Sequence, residues 1–425
     1  MTRRLRFFIV LAFKNLTRHK RRTIITALAM AVGVSIYTSM DSILVGFISE
    51  IDRNLVGFEL GNAAITAPEY WDERHRYLLD RLVEEPERIL SELDAAGIPA
   101  APRITFRGDL IVHYAPFPED GSIPMVFAGL DPERDAQVLR LQEAIVDGRW
   151  LEAGREEIVM GRWLADQLGA DVGYPVSVTT RTRDGYRQFL ELEIAGIYES
   201  PNPYVDRNKV HLPLDVADLY LEMRGAVTSI HLKLPETVPG TADPEPVRRI
   251  LHDAGAGIDS VVTLSYADMT EEFTEMMEME EGFTNLLLFL LAIIAIVGVS
   301  NTMLMSVLER QREIGMLRSL GFHNREIRLL FSLEAAGIGI LGAIGGLALG
   351  SVFTWLLVTY GIDYSRLMTD IDFSGYRFDS VLYGVWNYGT MVVATVFAVV
   401  VAGVVAIFPT RRILKKSVTD CMRHV

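Results

Sequence analysis

Residues 283–321, FTNLLLFLLAIIAIVGVSNTMLMSVLERQREIGMLRSLG, run from a long apolar stretch straight into one dense in Arg and Glu. A bilayer core takes about 20 apolar residues in a helix, and 283–308 supplies them. The change at Glu309 marks where the chain leaves hydrocarbon. Three further runs have the same character: 23–48, 331–360 and 388–408. The first is preceded by a basic leader, and Ala27-Leu28-Ala29 has the small-x-small form of a cleavage site. That site falls too early, at the very start of the apolar run, and the run is too long, so it reads as an uncleaved anchor.

Half of the 425 residues are apolar, yet 23% are charged, which places the two characters in different parts of the chain. The formal net charge of −14 sits mostly in 51–281, with roughly twice as many acids as bases. Such a stretch repels nucleic acid, whose phosphates need Lys and Arg. The single cysteine, Cys421, excludes an intrachain disulfide. No Cys/His cluster has zinc-ligand spacing, so no metal is expected.

Orientation follows from the basic residues near the spans. Arg3, Arg4, Arg6, Lys14, Arg18, Lys20, Arg21 and Arg22 precede the first span, and Arg411, Arg412, Lys415, Lys416 and Arg423 follow the last. The loop between the second and third spans holds Arg310, Arg312, Arg318, Arg325 and Arg328; the loop before the fourth is acidic, with Asp363, Asp370, Asp372 and Asp379. The reading is a four-span α-helical membrane protein with both termini cytoplasmic. In the leader, 1–22, Leu5, Phe7, Phe8, Val10, Leu11 and Phe13 interleave with basic residues. That pattern suits a helix lying in the cytoplasmic interface or a plain basic flank.

The segments divide as 23–50, the first span with an outward extension; 51–267, an α+β extracytoplasmic domain; 268–308, a stalk plus the second span; 309–328, a cytoplasmic loop; 329–360, the third span; 361–387, a short outer loop; 388–408, the fourth span; and 409–425, a cytoplasmic tail. Within the outer domain, apolar alternation predicts strands at 62–67, 104–113, 125–130, 157–160, 175–180, 189–198, 210–213, 228–234 and 260–265. Helical patterns fall at 84–96, 162–168, 214–223 and 244–254. A β-rich middle, about 123–224, is flanked by two pieces that each read as strand, helix and strand. The expected solution is a small α/β sheet built from both flanks, with the β-rich subdomain inserted. Beyond it, Met269, Phe273, Met276, Met277 and Glu280 recur at helical spacing. They predict a rigid stalk that packs against a neighbouring stalk or, alternatively, holds an apolar ligand.

Catalytic signatures are absent from the sequence. It contains no G-x-x-x-x-G-K-[ST] phosphate loop, no H-E-x-x-H and no G-x-S-x-G. The pairs Glu84/Glu85 and Glu156/Glu157 read as solvated surface. Asp41, Asn301 and Glu334 are the polar residues inside spans, a pattern that ordinarily suggests function. Three separated groups, two toward span ends, make a thin ion path, so a channel is not expected.

The loop after the second span carries the densest pattern: Glu309, Arg310, Arg312, Glu313, Ile314, Gly315, Leu317, Arg318, Leu320 and Gly321. Ile314, Leu317 and Leu320 with Met316 form an apolar stripe framed by arginines, Gly315 admits a close backbone and Gly321 is a natural helix stop. Such a helix can dock into a groove of a cytoplasmic partner; it can equally lay its apolar face on the membrane. In the third span, Gly342, Gly346 and Gly350 repeat every four residues and permit close helix packing.

The run E-R-Q-R-E-I-G-M-L-R-S-L-G followed by I-R-L-L-F-S-L-E-A resembles the signature of the MacB/FtsX-like permease family of ABC transporters, which includes lipoprotein-releasing permeases of the LolC/LolE type. Gly148-Arg149-Trp150-Leu151, Glu156 to Gly161, Leu164 to Gly169, Ala195 to Tyr198 and the closing Pro409-Thr410-Arg411-Arg412 resemble the family in the same order. The resemblance implies a non-catalytic permease subunit of the inner membrane with a periplasmic domain. It implies a cytoplasmic ATPase dimer that binds ATP, so this chain needs no cofactor, and a second permease subunit, either another copy or a sister chain. The loop 309–321 is then the ATPase-coupling element. For cargo, the resemblance favours release of a lipoprotein to a periplasmic carrier; MacB-type efflux and FtsX-like regulation of a cell-wall hydrolase are the alternatives. One departure is that the connection 179–188 is short and charged where a carrier-binding member has a protruding hook.

Overall fold

The computed structural model describes residues 8, 10–12, 14–16, 20–112, 122–235, 240–253, 260–271, 274–363 and 381–415. They fall into two compact units. One is drawn from Met1–Phe47, Glu275–Asp363 and Val381–Val425, the other from Ile48–Thr274 and Tyr364–Ser380.

Four helices in the described residues are long and apolar enough to cross a membrane: Lys20–Leu60, Gly282–Glu309, Asn324–Tyr360 and Tyr388–Leu414. The long helices and the short ones that adjoin them are α1 (Lys20–Leu55), α2 (Thr274–Glu309), α3 (Gln311–Ser319), α4 (Asn324–Tyr360), α5 (Tyr388–Val405) and α6 (Ile407–Leu414). The glycine stripe decides how α1 meets α4. A Cβ on Gly342 would stand 2.7 Å from the Met30 Cβ, one on Gly346 2.6 Å from the Val34 Cβ, and one on Gly350 would collide with the Thr38 hydroxyl. Without side chains at these three turns the backbones approach closely enough for dispersion to hold them. On α5, Ala394, Ala398 and Ala402 are buried at the same four-residue interval, and Ala402 packs at Gly339 of α4. On α2 the buried positions include Leu291, Ala295, Val299, Met303 and Val307, and Phe289, Ile296 and Val297 are exposed. Thr26 and Thr302 share a buried hydrogen bond of 2.6 Å between α1 and α2.

Two expected boundaries change. The helix of α1 continues past residue 50 into a π-helical turn, Val56–Leu60, because Leu55 and Phe58 are buried and the chain first turns to positive φ at Gly61. The stalk does not begin at 268. Ser265 and Asp268 form a capping box that starts a separate four-residue helix, Tyr266–Met269, which Thr270 ends, its hydroxyl donating to the Tyr266 carbonyl at 2.8 Å. Asp268 is therefore the N3 member of that capping box, with Ser265 the N-cap, and the long helix α2 starts at Thr274. Phe273 lies outside the described residues; Met276, Met277 and Glu280 lie on the backbone of α2.

Among the described residues the second unit holds ten strands: β1 (Ala63–Thr66), β2 (Ala100–Val112), β3 (Ser122–Leu130), β4 (Ile145–Gly148), β5 (Glu157–Gly161), β6 (Pro175–Arg181), β7 (Arg187–Tyr198), β8 (Lys209–Pro213), β9 (Ser229–Leu232) and β10 (Val262–Ser265). The flanks pair as expected, β10-β1-β9-β2, with Ala63 opposite Ser265 and also opposite Leu232. The β-rich middle is not a separate sheet. β2 is 13 residues long; its first residues pair with β9, its middle with β3 and its end with β6. From there the pairing runs β3-β8-β5-β7-β6 and returns to β2, a closed ring of six strands. Closure removes exposed edges, and the reason lies in the alternation along β2 and β7. Ile104, Phe106, Leu110, Leu190, Leu192 and Ile194 all point into one core with Phe127 and Val178. Phe106 and Phe127 stack at 5.3 Å.

Candidate functional site

The helix α3 follows α2 after a single residue, Arg310, whose φ of −107° and ψ of 22° break the long helix. That side chain is nine-tenths buried. Its Nε donates to the Glu313 Oε2 at 2.6 Å and its Nη1 to the Glu334 Oε2 at 3.0 Å. The Asn15 amide oxygen accepts from Nη1 and Nη2 at 2.9 and 3.0 Å. The guanidinium also lies 5.3 Å from the Phe331 ring centroid, within the range of a cation–π contact. Removing one charge from water in such a place is costly unless geometry returns the loss, and here two carboxylates, an amide and a ring do so. The result joins the start of α3, the first turns of α4 and the N-terminal leader.

The faces of α3 follow from this anchor. Gln311, Ile314 and Gly315 are buried, with Ile314 packed among Val307, Ile327 and Phe331 and with Leu317 partly buried at the edge of the same cluster. Arg312, Met316, Leu320 and Gly321 are exposed. Met316 and Leu320, 58% and 70% accessible, stand one turn apart and Arg312 one turn before them. The expected stripe of Ile314, Leu317 and Leu320 is therefore split: Ile314 and Gly315 hold the helix to its own chain, and Met316 with Leu320 faces outward. The buried contacts of Arg310 with Glu334, Asn15 and Phe331 outcompete a continuous apolar face. Gly321 takes φ +90° and the Phe322 amide donates back to the Leu317 carbonyl at 3.1 Å, the left-handed stop that its residue type suggests.

The remaining residues divide likewise. Glu309 meets Arg22 of α1, with 3.7 Å between Oε2 and Nη1, and Arg22 also donates to the Asn301 carbonyl at 3.4 Å. Arg318 is half-buried. Glu334, a polar outlier in sequence, is the counter-charge of Arg310. Asp41, another, accepts from the Thr390 hydroxyl at 3.1 Å. Asn15 escaped the sequence reading; its signal is one amide between Leu11 and Leu16 in an otherwise apolar and basic leader. Phe8 and Ala12 of that leader cluster with Leu330, and Phe8 stands edge-on to Phe322 at 6.2 Å. Among the described residues no group of His, Cys, Asp or Glu could hold a metal ion.

The two halves of the chain match two sequence families. Residues 23–251 match the MacB-like periplasmic core domain, over half of the chain, and residues 285–418 match the FtsX-like permease C-terminal domain. The chain belongs to the MacB/FtsX family of ABC transporter permeases. The lipoprotein-releasing system transmembrane protein LolC of Neisseria meningitidis is 24% identical to this permease over 95% of its chain and 94% of the relative. An uncharacterized ABC transporter permease of Methanocaldococcus jannaschii is 22% identical over 80% and 82%. The macrolide export ATP-binding/permease protein MacB of Brucella abortus is 25% identical over 37% of this permease and 25% of its own length. Among solved structures, the periplasmic region of MacB from Actinobacillus actinomycetemcomitans aligns with a TM-score of 0.35 at 13% identity, over 52% of this permease and 96% of that chain.

Proposed function

We propose that this permease converts ATP hydrolysis by a separate cytoplasmic ATPase dimer into movement of its outer domain, and that it does so to release lipoproteins from the inner membrane. The observation that carries the coupling role is the division of α3: an outward face of Arg312, Met316 and Leu320 for a partner's groove, and an inward face pinned by Arg310 to α4. A push on the outer face is transmitted through the buried ion pair rather than absorbed by a loose loop. In this reading both termini and the loop 309–328 are cytoplasmic, the permease pairs with a second copy or a sister chain, and ATP is bound by the partner alone. The full-length similarity to LolC supports lipoprotein release.

The test is purification of the tagged permease with its ATPase from membranes in mild detergent, followed by mass spectrometry of what accompanies it. Lipidated proteins discharged on ATP addition support the reading. Transport of a soluble periplasmic compound, with no lipidated protein bound, overturns it in favour of MacB-type export. That second reading is favoured by one observation: the β6–β7 connection is a tight turn, with the Thr182 amide donating to the Tyr186 carbonyl at 2.8 Å, too short for a protruding carrier-binding hook.

A further inference from the structure

The same β6–β7 hairpin carries a second feature. Arg181 and Arg187 are register partners, directly opposite each other across the two strands. Like charges in that position destabilise a strand pair, and residues of opposite or neutral character would fit the hairpin better. Arg107 of β2 adds a third charge. β2 pairs with β6 through Asp109 and Thr179, so Arg107, two residues along, shares a face with Asp109, and Arg181, two residues along in the matching direction, shares it with Thr179. The Thr180 hydroxyl donates to the Arg107 carbonyl at 2.8 Å, which holds the two strands in that register. The three guanidinium groups are exposed, and among the described residues none has an ion-pair or side-chain hydrogen-bond partner.

These residues line a concave surface of about 560 Å³, within the size range of small-ligand sites. Two further arginines on its wall are committed elsewhere: Arg76 to Glu73 at 2.9 Å, and Arg183 to Glu84 and the Met223 carbonyl. Two carboxylates, Asp80 and Asp109, share the wall, which leaves five positive charges against two negative ones. In an outer segment where acids outnumber bases about two to one, this is a local reversal of sign. The Thr179 hydroxyl is half-buried on the same face, and Tyr186 and Phe189, 70% and 51% exposed, border it.

We infer that this groove binds a phosphoryl group. A phosphate monoester or diphosphate offers several acceptor oxygens and up to two negative charges, enough to be shared by guanidinium groups that approach from three adjacent strands. Each guanidinium can meet it bidentately, and the anion cancels the repulsion between Arg181 and Arg187. The same chemistry is presented by a phospholipid headgroup and by a soluble phosphorylated compound, and the experiment separates them.

The full-length permease in neutral detergent is titrated with pyrophosphate and with short-chain phosphatidic acid, short-chain phosphatidylcholine serving as the uncharged control. Saturable binding of both anions, weakened about tenfold or more in Arg181→Gln/Arg187→Gln, supports a soluble phosphate source. Binding of phosphatidic acid alone, with the same dependence, supports a headgroup. Absence of binding by either probe up to about 10 mM, or equal binding by the Gln variant, overturns the inference. So does arginine-dependent capture of polyglutamate without response to either phosphate, which points to an acidic protein partner. Arg181→Lys/Arg187→Lys keeps the charge and the strand pairing but loses the bidentate geometry, and is expected to bind several-fold more weakly than wild type. The Gln variant is expected to melt at or above the wild-type temperature without ligand, because repulsion is gone; a purely structural role for the pair predicts a lower one.

Discussion

Arg310 of the α2–α3 junction and Glu334 of α4 form an ion pair of 3.0 Å whose side chains are only 10% and 7% exposed. Breaking such a pair from one side leaves a buried charge without its counterpart, at a cost of about 3 to 5 kcal/mol. Arg310→Met and Glu334→Leu are each expected to lower the thermal midpoint of the detergent-solubilised permease, and the double substitution is expected to recover much of the loss. Additive losses in the double variant would show that the two residues act separately. The double variant, stable but without the pair, is also expected to hydrolyse ATP with its partner without driving export.

The outward residues of α3 make the opposite prediction. Met316→Asp with Leu320→Asp touches no packed core, so stability should change by about 0.5 kcal/mol or less. Co-purification of the ATPase should be lost. Retention of the ATPase at wild-type yield would place the docking surface elsewhere.

Gly346 faces the Val34 Cβ and the Ala31 carbonyl of α1. Gly346→Val has no room between the helices and is expected to cost about 1 to 3 kcal/mol, read as a lower yield of folded permease and faster proteolysis. Gly298→Ala, where the nearest atom is the Thr26 methyl at 3.7 Å, should be tolerated.

A pH dependence is built into the outer domain. His231 is buried, its Nδ1–H donating to the Leu60 carbonyl at 2.7 Å, and burial first, then Arg103 nearby, pushes its pKa down to about 3 from the usual 6.5. The native ring is neutral; the unfolded ring takes a proton below pH 6.5. Its contribution to stability is complete above pH 6.5 and is lost as pH falls toward 3, by about 1.4 kcal/mol per pH unit. The stability of His231→Gln should therefore fall less steeply between pH 6.5 and 4 than that of wild type, measured by thermal melts. Equal slopes would show that His231 titrates normally in the folded chain. His211, also buried and lowered by burial and by Arg103, adds a term of the same sign to both proteins.

Much of the architecture was legible because membrane spans and strands depend on local pattern. Apolar runs of sufficient length identified α1, α2, α4 and α5, and alternation found nine of the ten strands described in the second unit. β4, Ile145–Gly148, was missed because three of its four residues are exposed and nothing alternates. The ring closure was not legible, since it depends on β2 meeting β6 roughly 70 residues later, a non-local pairing. At α3 the division of its residues between an inward and an outward face was not legible. Ile314 and Met316 look equivalent in sequence; only the contacts of Arg310 with Glu334 and Asn15 turn one inward and the other outward.

The pairing of β1 with β10 sets how the outer domain bears load. Ala63, just after the chain leaves α1, is bonded opposite Ser265, just before the chain turns toward α2, and Tyr266 adds a 2.7 Å hydrogen bond to Asp52. The two strands are antiparallel with both tethers at one end. A pull that separates the tethers therefore opens the ladder one rung at a time, the weakest loading direction for hydrogen-bonded strands, whereas a common displacement of both tethers strains no rung. The ladder would yield first at Ala63 and Ser265 if the two tethers moved apart.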